Sequence, residues 1–209
     1  MVKYVVFDFD GTLVDSLHVV IEVYNRLARE YNANKIQQKD IAYLKGLSIM
    51  ERAKFLDLKL YKLPLLAIDV YKLYKHSIKD LILFAGVKEL LEELNASGFQ
   101  LAIVSRNAEQ NIRECLECNQ IDFISEIICS NNMFGKDEDI KRFIKAHNLE
   151  ESEVVYVGDE ARDIIAGKKS GVNVIWVSWG FDHIDNAKKE DPNYIVDKPD
   201  EILSICQSI

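Results

Sequence analysis

The chain has 209 residues, enough for one well-filled core and a small accessory unit, and its 48% apolar and 29% charged residues are those of an ordinary soluble globular protein. A net charge of −8 and a pI near 5.1 argue against a nucleic-acid partner, and no apolar run approaches the ~20 residues that cross a bilayer. The short apolar N-terminus is interrupted by Asp8 and Asp10 and does not read as a signal peptide, so a soluble, cytoplasmic protein without a membrane partner is expected.

Residues 4–7 form a short apolar run with the composition of a buried strand, and the run stops abruptly at Asp8-Phe9-Asp10-Gly11. Carboxylates at the carboxyl end of a strand lie where open α/β sheets place their ligands. Gly11 lacks the bulk that would keep a main chain away from an anion. Over residues 17–31, apolar side chains recur at Leu17, Val20, Ile21, Tyr24, Leu27, Ala28 and Tyr31, the spacing of a helix. Further helices are expected over 40–44, 49–58 and 65–78, with no convincing strand between them. Residues 16–81 therefore read as a small helical bundle inserted after the first strand. Tyr43, Tyr61, Tyr71 and Tyr74 could line a site under the bundle, but their helical spacing favours the bundle's own core.

From residue 82 the pattern alternates. A helix over 87–94 is closed by Gly98 in a left-handed conformation, and a strand over 101–104 ends at Ser105-Arg106-Asn107. The next helix runs to about residue 117. It carries Cys115 and Cys118, which lack a second pair at zinc spacing and read as small buried residues, while Cys129 and Cys206 read as structural. His18, His76, His147 and His183 are scattered without metal-ligand spacing. A strand over 126–129 leads to Lys136 and to a helix capped by Asp137 that carries Ile140, Phe143 and Ile144. A strand over 154–157 ends in Gly158-Asp159, and a helix with Ile164 and Ile165 stops near Gly171. Strands over 174–177 and 194–196 and a helix from Asp200 complete the chain, with Trp176 and Trp179 in a strand and its exit loop, without a chemical role. This alternation predicts a Rossmann-like α/β fold, a parallel sheet with helices on both faces, built from residues 1–15 and 82–209.

In such a sheet the strand ends share one edge, so Asp8 and Asp10, Ser105, Lys136, and Asp159 with Asp163 can converge. Three or four carboxylates, a lysine and a hydroxyl suit a divalent cation together with a phosphoryl group. Oxygen ligands favour magnesium, while Lys136 and Ser105 would serve the phosphoryl oxygens. No G-x-G-x-x-G follows the first strand, which excludes a dinucleotide site of that kind.

On these motifs the chain resembles the haloacid dehalogenase (HAD) superfamily, in the branch of phosphoglycolate-phosphatase-like hydrolases with a helical cap. The run Asp8-Phe9-Asp10-Gly11-Thr12-Leu13-Val14-Asp15-Ser16 matches the first superfamily motif at every defining position. Ser105, Lys136 and Gly158-Asp159-Glu160-Ala161-Arg162-Asp163 correspond to the second, third and fourth, whereas the inserted bundle matches only in position and helical character. The resemblance implies a HAD-like core with residues 16–81 as a cap domain, and a magnesium-dependent phosphatase acting on a small phosphorylated metabolite such as 2-phosphoglycolate. It implies that Asp8 attacks phosphorus to form an aspartyl-phosphate, and that Asp10 protonates the leaving oxygen and then deprotonates water. Two carboxylates so close favour a proton on one of them, which suits Asp10 as the acid. Magnesium would be held by the Asp8 carboxylate, the Asp10 backbone carbonyl and Asp159, with Asp163 acting through water or by orienting its neighbours. Ser105 and Lys136 would bind the transferring phosphate, and Gly11, Thr12, Arg106 and Lys45 are further candidates for substrate contact.

Three positions depart from the pattern. Arg106 stands where relatives often have a small residue or asparagine, and Asp137 follows Lys136 where many have proline. Lys45-Gly46-Leu47-Ser48 lies where relatives often place a specificity loop, although a helix-to-helix turn also fits it. A sugar-phosphate mutase would need a histidine in the first cap helix; His18 comes two residues early and Val20 occupies the place. A non-catalytic HAD-like binding module would not need Asp8, Asp10, Lys136, Asp159 and Asp163 together.

Overall fold

The computed structural model describes residues 1–74, 81–129 and 135–209, and of Tyr71 the backbone alone. Its six strands are β1 (Tyr4–Phe7), β2 (Gln100–Ser105), β3 (Ile124–Cys129), β4 (Val154–Gly158), β5 (Asn173–Val177) and β6 (Tyr194–Val196). They form one parallel sheet in the order β3-β2-β1-β4-β5-β6. The chain direction across the sheet reverses at β1, so the crevice at its carboxyl end is the place where such sheets bind ligands.

Alternate strand residues face opposite sides, and both sides are covered. Val5, Phe7, Leu101, Ile103, Val155 and Val157 share one apolar layer with α5 (Val87–Ala96), α6 (Glu109–Cys118) and α10 (Glu201–Ser208). Val6, Ala102, Val104 and Tyr156 share the other with α7 (Lys136–Ala146) and α8 (Ala161–Lys169). Trp176 and Val174 extend that second layer toward Ile164 and Ala187, the latter on α9 (Ile184–Glu190). Burial on both faces explains why these strands read as unbroken apolar runs.

Between β1 and α5 lie α1 (Leu17–Leu27), α2 (Ile41–Lys45), α3 (Ile49–Phe55) and α4 (Leu63–Tyr74), and residues 17–74 contain no strand. Ser48 and Glu51 form a reciprocal capping box that starts α3. The expected helix over 65–78 begins two residues early, and its end lies outside the described residues, as does His76. The chain leaves the sheet and returns to it at neighbouring points: the Asp15 N–H donates to the Ile82 carbonyl (2.8 Å) and the Phe84 N–H to the Leu13 carbonyl (3.0 Å).

Several expectations are corrected. Tyr43 and Tyr61 are exposed, so of the four tyrosines expected in the bundle core only Tyr74 has a described, buried side chain, and it faces the sheet edge. Cys115 is buried but Cys118 is exposed, because a three-residue step on a helix only partly preserves the face, and Cys129 is exposed at the end of the edge strand β3. Asp137 lies inside the first turn of α7, where Asp137, Glu138 and Asp139 complement the helix dipole, and Gly135 occupies the cap position. Helix α9 has too short an apolar pattern to be anticipated. Among the described residues no helix is long and apolar enough to cross a membrane.

The contact of α8 with β5 is close enough to test. A Cβ on Gly167 would fall 2.3 Å from Val174 Cγ2. Gly167→Ala is expected to lower stability by about 1–3 kcal/mol in urea unfolding, despite alanine's better helix propensity.

Candidate active site

Asp8 follows β1 directly and stays in register with the sheet, its N–H donating to the Val157 carbonyl (2.8 Å). One carboxylate oxygen accepts the Phe9 N–H (2.8 Å) and the other lies 2.8 Å from Lys136 Nζ. Lys136 opens α7, and its ammonium also reaches Asp163 Oδ1 on α8 at 2.6 Å. The second Asp163 oxygen accepts the Glu160 N–H (3.0 Å), closing the capping box that starts α8. One buried ammonium thus ties together the end of β1 and the beginnings of two helices.

Asp159, at the end of β4, is fully buried. Its carboxylate accepts from the Thr12 hydroxyl (2.9 Å) and from the Phe181 N–H (2.7 Å). Gly11 has φ +83°, and a Cβ there would fall 2.3 Å from Asp159 Oδ2. Its own N–H donates to the Val14 carbonyl. The glycine is therefore required by this turn and by the carboxylate beneath it. Thr12 likewise faces Asp159. Trp176 and Trp179 brace the same region, Nε1 of Trp176 donating to the Asp159 carbonyl (2.7 Å) and Nε1 of Trp179 to the Thr12 carbonyl (3.0 Å).

Asp10 faces the helical segment. Asn107 Nδ2 donates to its Oδ2 (2.9 Å) and the Tyr74 hydroxyl, from the last residue of α4, donates to its Oδ1. Ser105 ends β2 fully buried, its Oγ accepting the Asn107 N–H (3.0 Å). A cavity of about 380 Å³ opens between Asp10, Asn107, Arg106, Glu160 and Arg162 on the sheet side and Tyr74 with apolar residues of α1, α3 and α4 on the other. Arg106 lines it with Nε and Nη1 buried and without a partner, while Arg162 is paired with Glu160. Lys45 Nζ donates to the carbonyl of Gly180 (2.7 Å), which packs against Asp159, beside an ion pair between Arg52 and Asp182, and both bonds tie the helical segment to the loop after β5.

Of the residues expected to hold a metal, Asp8 and Asp163 come together, and the carboxylate that joins them is Glu160, all three oxygens lying within 4.8 Å. The Asp159 carboxylate is engaged by Thr12 and Phe181, and that of Asp10 by Tyr74 and Asn107. Glu160 was legible as the cap of α8 in its three-residue spacing from Asp163, and Arg162 stood in the same motif. Tyr74 was one of four tyrosines that could line the site, but its bond to Asp10 could not be read, since the partner is 64 residues away.

The charges are set mainly by removal from water. Burial pushes Asp8 up to about 6, against the pull of Lys136. Burial raises Asp10 as well, opposed by its hydrogen bonds from Tyr74 and Asn107. Burial and the neighbouring Glu160, Asp163 and Asp8 carboxylates raise Asp159 well above the usual range. Asp163 is also opposed by burial, but Lys136 and Arg162 prevail and hold it below its ordinary value. Burial, then repulsion from Arg162, lowers Arg106.

Residues 5–177 match the family model of haloacid dehalogenase-like hydrolases, and the chain belongs to that family. It is similar to a phosphoglycolate phosphatase of Synechococcus elongatus, with 28% identity over 200 residues that cover 95% of this chain and 94% of the relative. A pyrophosphatase, PpaX, of Bacillus mycoides is 23% identical over 214 residues, covering 100% of this chain and 98% of the relative. In fold it resembles a haloacid dehalogenase-like family hydrolase of Streptococcus pneumoniae, with a TM-score of 0.79 and 24% identity over 98% of both chains.

The Asp8 shift gives a stability test. A carboxyl whose folded pKa is about 6 against an ordinary 3.8 ionises first in the unfolded chain, so its contribution to stability falls as pH rises through that interval. In chelator, Asp8→Asn is expected to unfold at higher denaturant than the wild type at pH 7.5, by on the order of 2 kcal/mol, and to match it near pH 4. Urea unfolding at the two pH values measures the difference.

Proposed function

We propose that this HAD-family phosphatase hydrolyses a small phosphomonoester through an aspartyl-phosphate on Asp8, with magnesium as its metal. The observation that carries the reading is Asp8 itself: a buried carboxylate at a strand end, fixed by the Phe9 N–H and Lys136, with the Asp10 carboxyl two residues on. The names of the relatives, a phosphoglycolate phosphatase and a pyrophosphatase, support a small phosphorylated substrate.

The donor set fits a hard divalent cation. It offers carboxylate oxygens and a backbone carbonyl, and Asp8 and Asp159 are both held above the usual carboxylate range in a site short of positive charge. Asp8, Asp159 and the Asp10 backbone carbonyl would hold the ion, with Glu160 close by and Asp163 keeping Lys136 in place. Once bound, it would neutralise charge on the phosphoryl oxygens.

A carboxylate oxygen of Asp8 attacks phosphorus in line, the bond to the leaving oxygen breaks, and Asp10 gives that oxygen its proton. Asp10, now a carboxylate, takes a proton from the water that attacks the phosphorus of the acyl phosphate. The bond to Asp8 breaks and inorganic phosphate leaves. Lys136 offsets charge beside Asp8 throughout, and the Ser105 hydroxyl donates to a phosphoryl oxygen. Arg106 lines the cavity where substrate would lie. Lys45, committed to Gly180, holds the helical segment in place. In this reading residues 16–81 are a cap domain over a core of 1–15 and 82–209, closing on the substrate and excluding water.

Phosphate release from a panel of phosphomonoesters that includes 2-phosphoglycolate tests the proposal. Turnover is expected with magnesium, to vanish in chelator, and to drop on the order of 10³-fold or more in Asp8→Asn. A folded Asp8→Asn protein that turns over like the wild type would overturn it.

A further inference from the structure

We infer that Tyr74 is a positioning residue for Asp10, holding the carboxyl group in the orientation that delivers a proton to the leaving oxygen. The inference rests on the reading of Asp10 as the general acid and names a residue of the helical segment on which that acid depends.

The geometry is a two-point clamp. Tyr74 donates to one Asp10 oxygen and Asn107 to the other, so both oxygens are engaged and the remaining position on one of them can carry the acid's proton. The terminal torsion of aspartate is soft, and a single donor would leave the carboxyl plane free to swing; two donors from opposite sides fix it. The two donors differ in how they are held. Asn107 is a fixed point of the sheet edge, since its Oδ1 accepts both the Ala108 N–H and the Asn111 amide at 2.8 Å. Tyr74 comes from α4, across the cavity, and is only 5% exposed. Its hydroxyl serves as a donor here, because burial and the adjacent Asp10 both resist its ionisation. It lines the same cavity as Asp10, on the side where the leaving group would depart.

Tyr74 acts through Asp10 and not on phosphorus, and this separates a positioning role from a merely structural one. Loss of a correctly aimed acid harms leaving groups that need a proton and spares those that do not. Phenyl phosphate and 4-nitrophenyl phosphate have nearly the same shape, but 4-nitrophenolate departs readily without protonation. Their kcat/KM values report the formation of the phosphoenzyme, before water enters.

In Tyr74→Phe, kcat/KM for phenyl phosphate is expected to fall about tenfold or more while that for 4-nitrophenyl phosphate stays within about twofold. The retained nitrophenyl activity also shows that the variant is folded. Tyr74→Leu, which lacks the same donor, takes its place if the phenylalanine variant is not recovered. Equal losses on both esters, or no loss on either, would overturn the inference. Asp10→Asn run alongside keeps the two readings apart. A selective loss there without one at position 74 refutes the role of Tyr74 alone, and no selective loss at Asp10 refutes the general-acid reading beneath it.

Discussion

Lys136 carries a full positive charge into a place from which water is excluded, 2.8 Å from Asp8 and 2.6 Å from Asp163. An ammonium there is tolerable only with close partners, and deleting one member of such a cluster leaves an uncompensated buried charge. The three side chains come from the end of β1 and the starts of α7 and α8, elements brought together by strand order across the sheet. The ion cluster is therefore an electrostatic feature and also a geometric one. It fixes the Asp8 carboxylate relative to both helices, and the capping box of α8 fixes Asp163 in turn.

The cluster does not balance. Asp8, Asp159, Glu160 and Asp163 face two closely paired cations, Lys136 and Arg162, and the deficit appears as carboxyls held above their usual range at Asp8 and Asp159. On the same sheet side of the cavity the imbalance has the opposite sign: Arg106 has buried nitrogens without a partner among the described residues, and its charge is disfavoured first by burial and then by Arg162 beside it. The site is thus polarised, ready for positive charge beneath Asp8 and for negative charge near Arg106. That is the arrangement expected where a metal and a phosphoryl group are to lie side by side.

Much of this was written locally in the chain. The apolar runs of β1, β2, β4 and β5 and the polar residues that end them announced both the sheet and its ligand edge, because a strand buried on both faces has no other composition available. Lys136 and Asp163 could be placed at that edge, but their contact with each other could not be read, since it depends on how far α7 and α8 approach. For the same cause the close approach of Gly11 to Asp159 could not be read, since nothing near Gly11 in sequence points to that neighbour. Tyr74 was one of four tyrosines that could line the site and that helical spacing favoured as core, and only the fold singles it out by turning its hydroxyl toward Asp10.

The points where the chain leaves and rejoins the sheet have a mechanical consequence. Residues 13–15 and 82–84 hydrogen-bond to each other and pin the path out to the helices at its root. Lys45 and Arg52, bonded to Gly180 and Asp182, pin the same segment a second time, on the loop after β5. Two separated attachments restrict rotation about either one, so a movement that widens the cavity has to give up the bonds of Lys45 and Arg52.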